Sequence, residues 1–522
     1  MTKSKIPLKA GKLFILVILV LVAVPAFAQS VDTAWVRRYN GLGDSADMAT
    51  AIAVSDSGNV YVTGKSIGNG TSTDYATIKY YPNGDVAPSW PKRYNGPVNE
   101  EDGASSLVLD NSNSVYVTGR SQGGATSDDC TTIKYYSDGD TAWVRRYDAD
   151  SLGDYGDAIT SDDSNNVYVT GWSWNKVTDS DYLTIKYYPN GDTAWLRRYH
   201  GAGNYLDDAQ AIAVDGSGNV YVTGRSIGIV TGYDYATIKY YPNGDTAWVR
   251  RYNGLGNDKD EARAIVVDGS GNVYVTGCSI GSGTNEDYAT VKYYPNGDTV
   301  WVRRYDGQAN GSDEAYTIAL DGLNNVYVTG YSESTGTYQD YATIKYASSG
   351  NELWVKKYNG PPGNGSDIAY AIAIDDSNNA YVTGISGGGP TSFDYATIKY
   401  YSNGDVAWVK RYNGPGNAVD YASAIALDDS GNVYVTGRSE DNGTDYDYAT
   451  IKYVQFLCGD ANKDGVVDVG DVVYLINYLF KSGTAPVPIL KAGDASCDGV
   501  VDVGDVVYLI NYLFKNGTEP CC

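Results

Sequence analysis

"DGSGNVYVTGRSIG", residues 215–228, sets an Asp-led, Gly-rich turn before Val-Tyr-Val-Thr and a further glycine. The tetrapeptide Tyr-Val-Thr-Gly occurs eight times, beginning at Tyr61, Tyr116, Tyr168, Tyr221, Tyr274, Tyr327, Tyr381 and Tyr434. Repetition at a fixed period governs architecture before any local assignment does. Two further markers keep the same period. Tryptophans stand at Trp35, Trp90, Trp143, Trp195, Trp248, Trp301, Trp354 and Trp408, spaced 52 to 55 residues apart. Asp-Tyr-Ala-Thr-Ile-Lys-Tyr, or a close variant, ends at Tyr80, Tyr135, Tyr187, Tyr240, Tyr293, Tyr346, Tyr400 and Tyr453.

Each copy holds four short strand-like runs. In the fourth they are Ala211–Val214, Val220–Thr223, Tyr235–Tyr241 and Ala247–Tyr252. Gly-, Asn- and Asp-rich connectors join the first pair and the last pair, as hairpins require. Four antiparallel strands in a unit of this length make a propeller blade, whose faces are buried only by neighbouring blades. The ends are complementary. The repeats open with a lone fourth strand, Thr33–Tyr39, and close with a third strand, Tyr448–Tyr453, that lacks its fourth. The sequence therefore predicts an all-β eight-bladed β-propeller over residues 29–453, its ring closed by strand exchange so that no edge stays open. The Asp, Gly-Asn and Tyr-Val-Thr-Gly pattern resembles the bacterial SBBP β-propeller repeat. That resemblance implies an extracellular propeller and no single activity.

Residues 1–28 read as a secretory signal peptide: Lys3, Lys5, Lys9 and Lys12 precede an apolar run from Leu13 to Val24, and Ala26-Phe27-Ala28 suits cleavage. The expectation is a secreted, extracellular chain, free or held at the cell surface, with no membrane span after cleavage. The net charge of −24 removes the basic footprint that nucleic-acid partners need. Cys130 and Cys278 sit in separate repeats and are not expected to pair. Cys458, Cys497, Cys521 and Cys522 crowd the C-terminal region in a disulfide-permissive compartment. Cys458 is expected to pair with Cys521 or Cys522, with Cys497 competing for the spare thiol.

Comparison of the copies locates a site. The turns from first to second and from third to fourth strand barely change. The other two connections vary widely, as in "SIGNGTSTD" (66–74) against "SWNKVTDSD" (173–181). In an up-and-down blade both variable connections fall on one face, and variable loops on a rigid frame are where binding usually sits. Asp47 and Asp74 begin two eightfold aspartate sets on that face. Their presence in every copy favours a structural role, capping turns or pairing with the Arg-Arg-Tyr strand, over a cation-binding rim. Departures from the repeat are better ligand-binding candidates: Trp172 and Trp174, Tyr331, and the sole histidine, His200. The tryptophans either stack on a sugar or peptide or fill space between blades.

Composition shifts at Cys458. "GDANKDGVVDVGDVVYLINYLF" (459–480) and "GDASCDGVVDVGDVVYLINYLF" (493–514) are each a twelve-residue loop feeding an apolar helix. Asp460, Asn462, Asp464, Asp468 and Asp471 hold loop positions 1, 3, 5, 9 and 12, with Gly465 at 6 and the Val466 carbonyl at 7. Those are the hard-oxygen offsets of an EF-hand-type calcium loop. Asp494, Ser496, Asp498, Val500, Asp502 and Asp505 repeat them, and Ser496 is a poorer ligand than Asn462. Two Ca2+ sites are expected. After a short linker at 454–457, residues 458–522 resemble a type I dockerin, a small all-α module with paired calcium loops. The resemblance implies docking to a cohesin module of a scaffolding or surface protein. Recognition would involve loop positions 10 and 11, here Val469-Gly470 and Val503-Gly504. The near-identity of the halves allows two binding orientations.

These features together point to an exported binding protein attached to a cohesin-bearing complex, in polysaccharide utilisation or with a protein ligand. The rivals are a carbohydrate-active enzyme with a propeller catalytic domain and a surface spacer without ligand.

Overall fold

The Asp-Gly-Ser-Gly-Asn turn closes on its own aspartate. Asp215 Oδ1 accepts the backbone N–H groups of Ser217 and Asn219, each at 2.9 Å. Its Oδ2 accepts the Asn219 amide and the Tyr221 hydroxyl, both at 2.8 Å. Gly218 supplies the left-handed residue, φ +76°. The repeated tyrosine is thus fastened to the repeated turn. The glycine closing Tyr-Val-Thr-Gly is required by close approach, since a Cβ on Gly224 would stand 2.0 Å from the Asp208 carbonyl oxygen. A bulge between Ala209 and Ala211 in the facing strand brings that carbonyl there.

The computed structural model describes residues 30–124, 127–149, 151–202, 205–308, 310–336, 338–361, 365–387, 392–441, 445–515 and 517–520. The expected signal peptide lies outside them. The chain forms eight four-stranded antiparallel sheets. Seven are built from consecutive strands, as in Asp207–Val214, Val220–Ile227, Tyr233–Tyr240 and Thr246–Tyr252. The eighth joins Asp420–Leu427, Val433–Glu440 and Tyr446–Phe456 to the N-terminal strand Ser30–Tyr39. The ring is an eight-bladed propeller closed by the chain's two ends, in a register running from Ser30 opposite Phe456 to Tyr39 opposite Tyr448. One boundary changes. Residues 454–457 are not a linker as far as Phe456, because the N-terminal strand continues pairing through Val31 and Asp32, and Val454 and Phe456 are buried.

Blade-to-blade packing repeats. Trp248 lies between Tyr221 of its own blade and Tyr293 of the next, and its indole N–H donates to the Pro295 carbonyl at 3.0 Å. Buried Tyr235 donates across the same seam to the Ala289 carbonyl at 3.0 Å. This seam thus combines aromatic burial with satisfied polar tips. The first strand of every blade is innermost, beside the first strands of its neighbours.

The C-terminal module has two helices, α1 (Val469–Lys481) and α2 (Val503–Lys515). Leu475 and Leu509 are fully buried between them, with Val472, Val506, Ala461 and Ala495. Lys491 reaches back to Asp32 on the N-terminal strand at 3.4 Å.

Candidate functional site

Both twelve-residue loops of the C-terminal module are shaped by their own carboxylates. In the first, Asp460 accepts the N–H groups of Asp464 (3.1 Å) and Gly465 (2.9 Å), and Gly465 holds φ +88°. Asp471 accepts the N–H groups of Asn462 (3.2 Å) and Asp468 (2.9 Å), closing the loop. Asp468 caps α1 by accepting the Gly470 N–H at 2.5 Å, so the last two carboxylates sit on the helix N-terminus. Burial raises Asp471 to about 6; backbone N–H donors offset part of this, and Asp460 and Asp464 add to it. Asp494, Asp498, Asp502 and Asp505 repeat the arrangement bond for bond. The Ser496 hydroxyl oxygen is buried with no partner among the described residues. Oxygen donors at positions 1, 3, 5, 7, 9 and 12 around a left-handed glycine fit Ca2+ and suit neither soft nor nitrogen-seeking metals.

Val469, Gly470, Val503 and Gly504 are exposed at the starts of the helices. They do not stand alone. Val469, Val473, Ile476 and Phe480 form one stripe on α1, with Phe480 66 % exposed, and Val503, Val507, Ile510 and Phe514 repeat it on α2. The sequence reading missed the later residues of each stripe, though the spacing of one helical face was there to read.

Cys458 and Cys497 are both disulfide-bonded, whereas Cys130 and Cys278 are free and buried. The expected partners at 521 and 522 lie outside the described residues.

On the propeller members of the two aspartate sets make structural contacts. Asp207 is buried and accepts the Gly201 N–H at 2.6 Å, tying the incoming loop to the inner strand. Asp234 pairs with Arg251 of its own blade at 2.8 Å, as Asp129 does with Arg146 at 2.7 Å. His200 stands 3.7 Å from Asp181 and 3.9 Å from Asp207, both of them members of these sets. Trp172 stacks flat on Tyr155 with centroids 3.9 Å apart, and Trp174 meets Trp172 edge-on at 6.4 Å. One face of Trp172 is therefore already covered. Tyr331 is 6 % exposed and lies behind Tyr316, at 6.0 Å between ring centres.

Asymmetry concentrates at the second and fourth residues of the inner strands and at the residue following each Tyr-Val-Thr-Gly. On one side of the axis this ring is acidic and internally neutralised: Arg225 pairs with Asp208 (2.8 Å) and Glu261 (2.7 Å), and Arg263 with Glu314 (2.6 Å). Asp157, partly buried there, has one carboxylate oxygen without a partner among the described residues. Burial, with Asp208 nearby, raises it to about 7. Across the axis a cavity of about 440 Å³ is lined by Tyr316, Tyr370, Tyr421, Met48, Lys65 and Arg438. The sequence reading singled out only Tyr331 of this neighbourhood. The signal was the unlike columns one and three residues beyond each repeated Asp.

Two family profiles match. The type I dockerin domain matches residues 458–514, and the beta-propeller repeat matches residues 34–70, 197–229, 247–283, 300–336 and 407–444. The chain is a propeller of SBBP-type repeats carrying a type I dockerin. Type I dockerins bind calcium, and the dockerin implies a cohesin partner. Among curated proteins none matches this propeller–dockerin chain significantly. Among solved structures, an ulvan lyase of polysaccharide lyase family PL25 is 12 % identical, with 81 % of this chain and 96 % of that one covered and a TM-score of 0.40. A eukaryotic initiation factor is 9 % identical over 71 % and 78 %, with a TM-score of 0.40. A gluconolactonase from Xanthomonas campestris is 11 % identical over 56 % and 90 %, with a TM-score of 0.29. Likenesses at these scores carry no argument about chemistry. No helix among the described residues is long and apolar enough to cross a membrane.

Proposed function

We propose that this is an exported binding protein: the propeller holds a ligand at the inner rim of its variable face, and the dockerin fixes it to a cohesin-bearing extracellular or cell-surface complex. The observation that supports this reading is where the eight copies differ. They share a common turn and seam pattern and, in seven copies, the Asp–Arg pair, and diverge at the inward positions that line one cavity mouth. A spacer without ligand has no need of that divergence. The dockerin side rests on the two calcium loops and on the paired stripes beginning at Val469 and Val503, which would present equivalent surfaces to a cohesin in two orientations.

Pull-down from the producing cell's exoproteome, with calcium and with chelator, tests attachment. Recovery of a cohesin protein only with calcium supports it; equal recovery in chelator refutes it. A panel of polysaccharides tests the propeller, with retention and no turnover as the expected result. The enzyme reading has one observation in its favour, the raised Asp157 beside the Arg-held Asp208, since carboxyls with divergent environments can divide acid and base roles. Release of new reducing ends, lost in Asp157→Asn, would establish it.

A further inference from the structure

We propose that the cavity between Lys65, Arg438 and the tyrosine wall takes an acidic saccharide, a sugar ring bearing a carboxylate or a sulfate ester. The proposal rests on the ligand-binding reading above and names the class of ligand.

Charge makes the first argument. In a chain of net charge −24, cations usually find acids, and on the far side of the same ring Arg225 and Arg263 do. Lys65 and Arg438 do not: among the described residues neither has a carboxylate within ion-pair distance. Arg438 lies over the Tyr421 ring at 4.4 Å and the Tyr446 ring at 4.7 Å, and among the described residues its one donor contact is the Met48 sulfur at 3.2 Å. Its guanidinium is held in place with its anion-binding capacity unused. Lys65 faces Met48 across the strand pair and also lines an adjoining cavity of about 340 Å³ on its other side. The two cations therefore flank one volume.

Shape makes the second. Tyr316 and Tyr370 meet at 5.4 Å between ring centres and are partly buried, so their remaining faces are fixed. Arg263 packs 4.7 Å above Tyr316 from behind and is held there by Glu314. Rigid aromatic faces suit the apolar side of a pyranose, while Thr50 and Ser423 in the cavity lining offer hydroxyl oxygens to its hydroxyls. A volume of about 440 Å³ falls within the roughly 300–1,000 Å³ of ordinary small-ligand sites. The two cavities share Thr50 and Lys65 in their linings, and Gly103, which lines the second, occupies the slot that holds Tyr155 and Tyr421 in other blades. A Cβ on Gly103 would meet only the Lys65 side chain, at 3.6 Å, so a missing side chain leaves room beside that cation.

Calorimetry on the full calcium-loaded chain tests this with three probes of equal length: oligogalacturonate, a sulfated galactan oligosaccharide and a neutral cello-oligosaccharide. At least one acidic probe should bind at least about tenfold tighter than the neutral one, more weakly as salt rises. Which acidic probe binds distinguishes carboxylate from sulfate. Lys65→Ala and Arg438→Ala should each weaken it roughly five- to tenfold, as loss of a charge-assisted contact does. Gly103→Tyr, a residue this slot already accommodates in two blades, should crowd the Lys65 side chain and weaken binding. Unchanged tryptophan-monitored melting would show that the variants are folded. Equal binding of the neutral probe, or full affinity in both cation variants, overturns the acidic class. If an acidic peptide binds and no saccharide does, the saccharide is overturned and the ligand-binding reading survives. If nothing binds, both fall.

Discussion

Arg38 donates to Asp447 at 2.9 Å although 409 positions separate them. Its other guanidinium nitrogen donates to Ser439 Oγ at 2.6 Å. Arg251 makes the same contacts with Asp234 and Ser226 inside a single blade. The N-terminal strand has thus carried one blade's internal ion pair to the far end of the chain, and the last blade is finished by the first strand. Tyr448 then donates to the Ala76 carbonyl at 3.1 Å, so the completed blade seals against its neighbour by the contact used at the other seams.

Arg38→Ala should loosen the closure more than Arg251→Ala loosens its blade. Both expose a carboxylate that is nearly buried, which costs about 2–4 kcal/mol where a buried pair is broken. Only at the closure does the affected strand lack a covalent hairpin to hold it. Hydrogen exchange should rise across Tyr446–Phe456 in Arg38→Ala while Tyr233–Tyr240 stays protected in Arg251→Ala. Equal exchange in the two variants would show that the ends add no special weakness.

Tyr61 lacks the anchor its counterparts have. Ser55 occupies the place of Asp215, and the Tyr61 hydroxyl is buried with no partner among the described residues. Ser55→Asp should stabilise the propeller by roughly 1–2 kcal/mol, because the added carboxylate can accept that hydroxyl. The Asn59 N–H, which now donates to Ser55 Oγ at 3.1 Å, can keep an oxygen partner in the variant. Tyr61→Phe should be nearly neutral where Tyr221→Phe is costly. A lower melting temperature for Ser55→Asp would refute the account.

The propeller was legible because its residues repeat. Eight copies of one turn, one aromatic and one tyrosine leave little choice of architecture, and the complementary ends indicated the closure. Strand length was not legible at the ends: nothing in Val454-Gln455-Phe456 announces that Ser30–Asp32 will pair with it. The dockerin and its two acidic turns ahead of the helices were legible because their residue types recur at fixed offsets in both halves. The cavity was not, since Tyr316, Tyr370 and Tyr421 come from three consecutive blades and meet Met48 and Lys65 of the first blade only once the ring closes. Trp172 drew notice as an unusual residue, yet its unusual neighbour Tyr155 covers one of its faces.

Acidification to about pH 5 should raise the propeller's melting temperature. The inner-strand aspartates are raised by burial, partly offset by backbone and serine donors, with Asp154, Asp313, Asp367 and Asp420 near 6. The folded state then holds protons that the unfolded chain has released. That contribution is complete below the ordinary carboxylate range and is lost as pH rises through about 6. Asp162, Asp215 and Asp268 run the other way: burial opposes them, but asparagine, tyrosine and backbone donors outweigh it and hold them low. Their contribution fails only in stronger acid. All ten tryptophans lie in the propeller, so fluorescence melts in excess calcium isolate it. A melting temperature that falls steadily from pH 7.5 to 5 would contradict this.

The ends of the dockerin meet: a Cβ on Gly459 would stand 3.0 Å from the Pro520 ring. Cys458 adjoins one of these residues and Cys521 the other, so a bond from Cys458 to Cys521 or Cys522 should clasp the module. Closing a loop of about sixty residues is worth on the order of 4 kcal/mol on chain-entropy reasoning. Non-reducing peptide mapping should link Cys458 to the C-terminal peptide, with Cys497 taking the remaining thiol. A Cys458–Cys497 link would remove the clasp.

Calcium should bind the two loops unequally and fold the module. Without a cation, each loop gathers four carboxylates on short backbone bonds, and their repulsion opposes closure; binding to the folded loop alone converts affinity into stability. Chelation should therefore reduce the helical signal of α1 and α2 while tryptophan emission from the propeller stays unchanged. The loops differ at position 3. Asn462 Oδ1 already accepts the Asp464 N–H at 2.8 Å, whereas the shorter Ser496 side chain leaves its oxygen buried with no partner among the described residues. The second site should be the weaker, and Ser496→Asn should tighten it by about tenfold, a small step within the span that ligand identity covers in such loops. Asp505→Ala should abolish the second site and leave the first. Calorimetry resolving two sites, the weaker moved by Ser496→Asn, is the expected result. A single class of sites indifferent to that change, or a helical signal that survives chelation, would overturn it.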